Sequence, residues 1–134
     1  MDNYQILKEI DKMHHDANEA LKQKQIDNYL KVFSDTLEYK QLNGKVIDKN
    51  KLCKDIVFYF DRIKALDTQF SRTEFSINDN TFTEKLIQKA ITSTRVFIFF
   101  TKKWTVEREG IYHWRINNNT WEIEKIEIIS EKTY

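Results

Sequence analysis

Apolar residues in the first part of the chain recur at spacings of three and four, and later they alternate. Between residues 3 and 24, Ile6, Ile10, Met13, Ala17, Ala20 and Leu21 make one stripe, with Lys8, Glu9, Lys12 and Glu19 outside it. That spacing predicts an amphipathic helix. Asp27 stands where it can cap a short second helix carrying Leu30 and Phe33. From 34 to 41 the pattern alternates, Leu37 and Tyr39 against Glu38 and Lys40, which predicts a short strand closed by the Asn43-Gly44 turn. Asp48 caps a third helix running to about residue 66. Its apolar residues (Leu52, Ile56, Phe58, Tyr59, Phe60, Ile63) cover more than a stripe, so it is expected to sit deeper than the first.

The second half reads as strands. Residues 68–78 form one, with Phe70 out of phase with Phe75 and Ile77, the mark of a bulge. Segment 81–92 admits two readings. Thr81 and Glu84 make a helical capping box with Phe82, Leu86 and Ala90 at helical spacing, yet the segment lies between strands. Residues 95–107 are expected to be a central strand covered on both sides, Val96, Ile98 and Phe100 facing one way and Phe97 and Phe99 the other.

The clearest pattern is a hairpin of 110–117 and 120–130. A two-residue Asn118-Asn119 loop sets Ile116 opposite Trp121 and Trp114 opposite Ile123. Tyr112, Trp114, Ile116, Trp121 and Ile123 then share one face, with Arg115 facing Glu122 and His113 facing Glu124 on the other. A three-residue loop would scatter the apolar set over both faces. The same register puts Ile111 against Ile126 on the outer face, with Ile128 continuing the row. The tail from Glu131 is expected to fray.

Composition narrows the function classes. The chain has 134 residues and a formal net charge of +1, one domain with no global pull toward nucleic acid or an anionic membrane. The single cysteine, Cys53, excludes an intramolecular disulfide and fits a reducing compartment. The start lacks the apolar core of a signal peptide, so a cytoplasmic location is expected. With no proline and two glycines there is no glycine-rich phosphate loop.

Helices first and antiparallel strands after is an α+β layout. In that order the segments FSDTLEYKQLNG (33–44) and YHWRINNNTWEI (112–123) resemble the nuclear transport factor 2-like, or cystatin-like, superfamily, and within it the small SnoaL-like group. The resemblance implies a curved antiparallel sheet packed on the three helices, a cone with a pocket at its open end, and a homodimer. It also implies where an isomerase of this group would hold its groups: the basic carboxylate falls on Gln41 and the oxyanion tyrosine on Ala17. Neither residue can do that work. The scytalone dehydratase variant requires a His–Asp pair inside the cone, and His113, the histidine on the strands, is expected on the outer face.

Four further readings concern chemistry. His14 and His15 point about 100° apart on a helix and cannot chelate as residues four apart would, so no metal is expected. His14 borders the apolar stripe and is a candidate pocket residue. Tyr39, Tyr59, Trp104, Tyr112 and Trp114 are the other candidates, with Gln41, because buried Tyr and Trp need partners for their polar atoms. Cys53 is expected to be an inert thiol.

These readings lead to an expectation of a non-catalytic or accessory domain, without cofactor, whose cone holds a small apolar or aromatic ligand. The alternative is a SnoaL-like enzyme acting on a small hydrophobic substrate through a tyrosine hydroxyl or His14. A homodimer is expected through the outer sheet face, with Ile111, His113, Ile126 and Ile128 at its interface.

Overall fold

The computed structural model describes the backbone of residues 2–97 and 100–134, and the side chains of 2–94 and 101–134. Its elements run α1 (Asn3–Lys22), α2 (Ile26–Leu30), β1 (Phe33–Lys40), β2 (Val46–Ile47), α3 (Lys49–Phe60), β3 (Ala65–Asn78), β4 (Thr81–Phe97), β5 (Phe100–Asn117) and β6 (Thr120–Thr133). The strands form one sheet in the order β2-β1-β6-β5-β4-β3. All neighbours are antiparallel except β1 and β6, which are parallel. Three helices on a curved, mostly antiparallel sheet make the α+β cone. Among the described residues no helix is long and apolar enough to cross a membrane.

Local chemistry sets the helix starts. Asp2 and Asp48 accept the backbone N–H groups of Gln5 and Lys51, each at 2.8 Å, so both α1 and α3 begin with a side-chain cap. The stripe of α1 is buried as its spacing predicts, Ile10 fully so. The expected depth of the third helix is reversed: Val57 and Phe58 are exposed, and the Arg62 guanidinium lies over the Phe58 ring. A broad apolar arc here is partly covered by a cation rather than by core. The helix also stops at Phe60, because Leu66 already lies in β3 opposite Thr92 of β4. Phe33 belongs to β1, not to the second helix.

Segment 81–92 is strand. It pairs along its length with β3 and β5, and those ladders outweigh its local helical preference. The bulge expected in β3 falls between Arg72 and Glu74. Residues 95–107 are not one strand, since Phe97 pairs with Phe100 and the chain doubles back between β4 and β5. The opposed faces expected for Phe97 and Phe99 lie outside the described residues.

The hairpin has its two-residue loop, with Asn118 and Asn119 both at positive φ, and Ile116 faces Trp121 and Trp114 faces Ile123. Beyond that point the register shifts. A bulge between His113 and Trp114 leaves Glu124 as the extra residue, so His113 faces Lys125, Tyr112 faces Ile126 and Ile111 faces Glu127. Arg115 donates to Glu124 at 2.9 Å although it stands opposite Glu122. Ile126 and Ile128, expected on the outer face, are therefore buried in the core. A one-residue slip turns every later side chain over. The tail does not fray: Tyr134 and Thr105 exchange both backbone hydrogen bonds.

Gly110 answers a steric need on the inner face of β5. A Cβ there would stand 3.2 Å from both Ile128 Cδ1 and the Tyr112 ring, so glycine lets these two side chains close over the strand.

The corrected register makes a direct prediction. Ile126→Ala should cost about 2–5 kcal/mol in urea unfolding, as core truncations do. Ile129→Ala, at a side chain 43% exposed, should change stability by less than about 0.5 kcal/mol. A larger loss at Ile129 than at Ile126 would restore the unshifted register and refute the bulge.

Candidate functional site

The cone encloses a cavity of about 380 Å³, at the small end of the roughly 300–1,000 Å³ range of ligand pockets. One side is apolar: Leu21 and Val32 near the first two helices, Leu52 and Ile56 from α3, Ile123, Ile126 and Ile128 from β6. Two polar groups interrupt this lining.

The first is built on His14. In mid-α1 it points inward from the apolar stripe and is only 4% exposed. Its Nε2 lies 2.7 Å from Glu84 Oε2, and Glu84, in the middle of β4, is itself 1% exposed. Trp114 Nε1 donates to the same oxygen at 2.5 Å, and Arg72 Nε donates to Oε1 at 2.9 Å. A carboxylate is acceptor-only and satisfies all three donors. With Nε2 engaged by Glu84, Nδ1 of His14 has no hydrogen-bond partner among the described residues, the geometry of a histidine oriented by an acid. Arg72 is held from outside by Asp11 at 2.6 Å. Rings of Phe70, Tyr112 and Trp114 surround the imidazole, the nearest centroid 4.7 Å away.

The second group lies toward the far ends of β1 and β5. Tyr29, Tyr39, Tyr112 and Arg108 line the cavity together with Glu131. Arg108 Nε donates to Glu131 at 2.7 Å, and Tyr112 donates its hydroxyl proton to Gln88 at 2.9 Å. Burial pushes the Tyr29, Tyr39 and Tyr112 hydroxyls above the usual tyrosine range, and the Arg108 charge opposes that rise at each. All three stay protonated donors at neutral pH. Tyr59 and Thr92 share a hydrogen bond on the wall by Trp104.

His14, Tyr39, Gln41, Tyr59, Trp104 and Tyr112 thus all line the cavity, as does Ala17. Trp114 does not, being fully buried behind His14 with its N–H on Glu84. Ile126 and Ile128 line the cavity instead of the outer face. Ile111 and His113 are half-buried on the outer side. Cys53 is half-buried on α3 and His15 is exposed, and among the described residues no three His, Cys, Asp or Glu groups stand together as a metal site.

Sequence reasoning missed Glu84, Arg72, Tyr29, Arg108 and Glu131. A signal for two of them was present. Glu84 sits in phase with Phe82 and Leu86, and Arg108 in phase with Val106 and Tyr112. A charge on the apolar phase of a strand marks a buried or cavity-facing group.

The geometry matches solved structures closely. A provisionally named scytalone dehydratase from Novosphingobium aromaticivorans superposes with a TM-score of 0.85 at 10% identity, over 98% of this chain and 88% of that one. The chain has the cystatin-like fold of the nuclear transport factor 2-like proteins. A cystatin-like protein of unknown function from Nostoc punctiforme gives 0.72 at 15% identity, over 96% and 92%. A provisionally named dehydratase of the nuclear transport factor 2-like family from Streptomyces avermitilis gives 0.73 at 6%, over 91% and 94%. No family model and no curated protein matches the sequence. At such identities the likeness is one of fold.

The tyrosine cluster predicts alkaline behaviour. Above about pH 10 unfolded tyrosine loses its proton while Tyr29, Tyr39 and Tyr112, raised in the folded chain, keep theirs. The folded state then binds more protons than the unfolded one, so stability is unaffected below that pH and falls as pH rises through it. Urea unfolding of Tyr29→Phe should show a shallower alkaline fall than the wild type. An unchanged slope would mean that the Tyr29 hydroxyl is not buried.

Proposed function

We propose that the cone binds a small, largely apolar molecule and removes a carbon-bound proton from it, in a reaction of the elimination or isomerisation class, with His14 as general base. One observation carries this reading: a buried His14 on the wall of the cavity, bonded to a buried Glu84 behind it. Placing a carboxylate and an imidazole out of water is costly unless they are fully bonded, and an apolar pair of the same volume would be at least as stable. Their presence against a cavity therefore speaks for chemistry more than for packing. Glu84 fixes the tautomer, Trp114 and Arg72 fix Glu84, and Nδ1 is left for the substrate.

Gln41 and Ala17 fill the places at which an isomerase of this fold would hold its base and oxyanion tyrosine, so a catalytic role here uses a different pair. The dehydratase names carried by two structural neighbours belong to the same class of chemistry, proton removal with loss of a neighbouring group. That agreement is one of analogy, which by itself transfers function poorly.

Proton exchange tests the reading without knowledge of the substrate. Deuterium uptake at the activated carbons of small cyclic ketones such as β-tetralone, followed by NMR in D2O, should be accelerated by the wild type. His14→Gln should lower that acceleration about 10²-fold or more, the usual contribution of a general base. Glu84→Gln should lower it too, through the wrong tautomer. Wild-type protein no faster than His14→Gln across the ketones would sink the base assignment.

We also propose a homodimer through the outer sheet face, now centred on Ile87, Ile91, Ile111 and Ile129. Ile91 and Ile129, 39% and 43% exposed, support it as large apolar side chains left open on that face. Cross-strand pairs such as Lys85–Glu109 at 3.1 Å and Lys125–Glu127 at 3.0 Å would form a polar surround. Sedimentation at micromolar concentration should give a dimer that Ile111→Lys splits; a clean wild-type monomer refutes it.

A further inference from the structure

One negative charge on Glu84 is shared between two neighbours. Its Oε2 lies 2.7 Å from His14 Nε2, and its Oε1 accepts from Arg72 Nε at 2.9 Å. A guanidinium that close would by itself cancel the carboxylate. An imidazole taking up a proton beside it would then be a buried charge without a counter-ion. A second acid changes this balance. Asp11, three residues ahead of His14 on α1, accepts from Arg72 Nη2 at 2.6 Å. Its side chain is 51% exposed, whereas that of Arg72 is 14% exposed and lies over the Phe82 ring. Burial opposes the Arg72 charge, and the bonds to Asp11 and Glu84 outweigh it, holding the guanidinium above the usual arginine range. Arg72 therefore stays charged.

Asp11, Arg72, Glu84 and His14 thus stand in a row. Its two carboxylates and one guanidinium leave one negative charge, and His14 is where a matching positive charge can form. The other groups that face the imidazole are neutral or balanced. Tyr112 of β5 and Tyr29 of α2 keep their protons. Around the cavity Arg108 pairs with Glu131, Asp55 with Lys51 and Lys89 with Glu107. On α1 itself Lys12 and Asp16 pair in solvent, His15 is exposed, and Glu9 accepts from Trp121.

We propose that Asp11 is a positioning residue for proton removal: it balances the Arg72 charge and so leaves the Glu84 charge to His14. The inference rests on His14 as the base and adds to it a residue outside the cavity lining. In the step it serves, a substrate C–H bond breaks, its proton bonds to His14 Nδ1 and its electron pair stays on the substrate. The imidazolium so formed completes a row of two anions and two cations. An ordinary surface ion pair would stabilise little and leave His14 as it is.

Proton NMR of the His14 ring against pH tests the row, the resonance being assigned by its loss in His14→Gln. Asp11→Asn should move the His14 midpoint down by about 0.5–1 pH unit, the effect of one uncompensated positive charge nearby. Arg72→Gln, whose amide still donates to Glu84, should move it up. The double variant Asp11→Asn/Arg72→Gln again leaves one net negative charge and should return the midpoint to within about 0.3 unit of the wild type. Damage to packing would not cancel in this way. Asp16→Asn removes an equal charge from the same helix without touching Arg72, and should shift the midpoint by less than about 0.2 unit. Asp11→Asn no different from Asp16→Asn overturns the proposal. So does a double variant displaced further than Asp11→Asn, or a His14 resonance that titrates in none of the proteins. Should Arg72→Gln unfold, Asp11→Asn against Asp16→Asn decides alone. Deuterium exchange into β-tetralone should fall about threefold in Asp11→Asn, as a weaker base gives. A wild type that exchanges protons while Asp11→Asn leaves the midpoint in place sinks the role of Asp11 alone. The expected midpoint shifts without any exchange sink the base assignment.

Discussion

Glu84 is the constraint on which the interior depends. A carboxylate at 1% exposure is tolerable only if its oxygens are filled, and three elements fill them: α1 through His14, β3 through Arg72 and β5 through Trp114. Each donor is charge-assisted, and bonds of that kind stabilise by about 1.5–3 kcal/mol apiece. Together they offset a burial penalty of several kcal/mol. The same geometry fixes the angle at which α1 crosses the sheet, because the imidazole cannot slide without orphaning a buried oxygen. Arg72 extends the clamp to Asp11 on the outer turn of α1, so the helix is pinned on both sides of the carboxylate.

That clamp also bears on why the cone stays open. Packed interiors rarely leave voids larger than a water molecule, and a cavity of about 380 Å³ lined by leucine and isoleucine would tend to close by movement of the helices. Here α1 is held by polar bonds of fixed length rather than by adjustable apolar contact. On the other side Lys24 donates to the carbonyls of Phe60 and Ile63, at 3.1 and 2.7 Å, and ties the end of the first helical hairpin to the end of α3. The helices are thus spaced by hydrogen bonds, and the space between them and the sheet persists.

How much of this was legible in the sequence depends on which forces each pattern reports. The α1 stripe, the Asn118-Asn119 loop and the first pairs of the hairpin follow from local chemistry, and they are where reading by period put them. Ile126 and Ile128 went astray because a bulge near Glu124 has no glycine or proline to announce it, and a single extra residue inverts the face of all that follows. The third helix was placed too deep because an apolar arc says nothing about whether a partner exists to cover it. Segment 81–92 resolves as strand only through pairing on both edges, which is non-local.

The site was legible to the same degree and for the same reason. Tyrosines, tryptophans and His14 could be picked as residue types that prefer a half-wet cavity, and most of them do line it. Glu84 was hidden because Thr81-x-x-Glu84 also spells a helix cap, and the two readings differ only in whether the segment is helical. Once it is a strand, the carboxylate must share a face with Phe82 and Leu86, and burial without partners would not be tolerated. The fold therefore decides the chemistry at this position. A cone shared at 6–15% identity supplies the enclosure alone. What lines it here, His14 backed by Glu84 and a separate cluster of Tyr29, Tyr39, Tyr112 and Arg108, is set by a handful of side chains on the apolar phase of their elements.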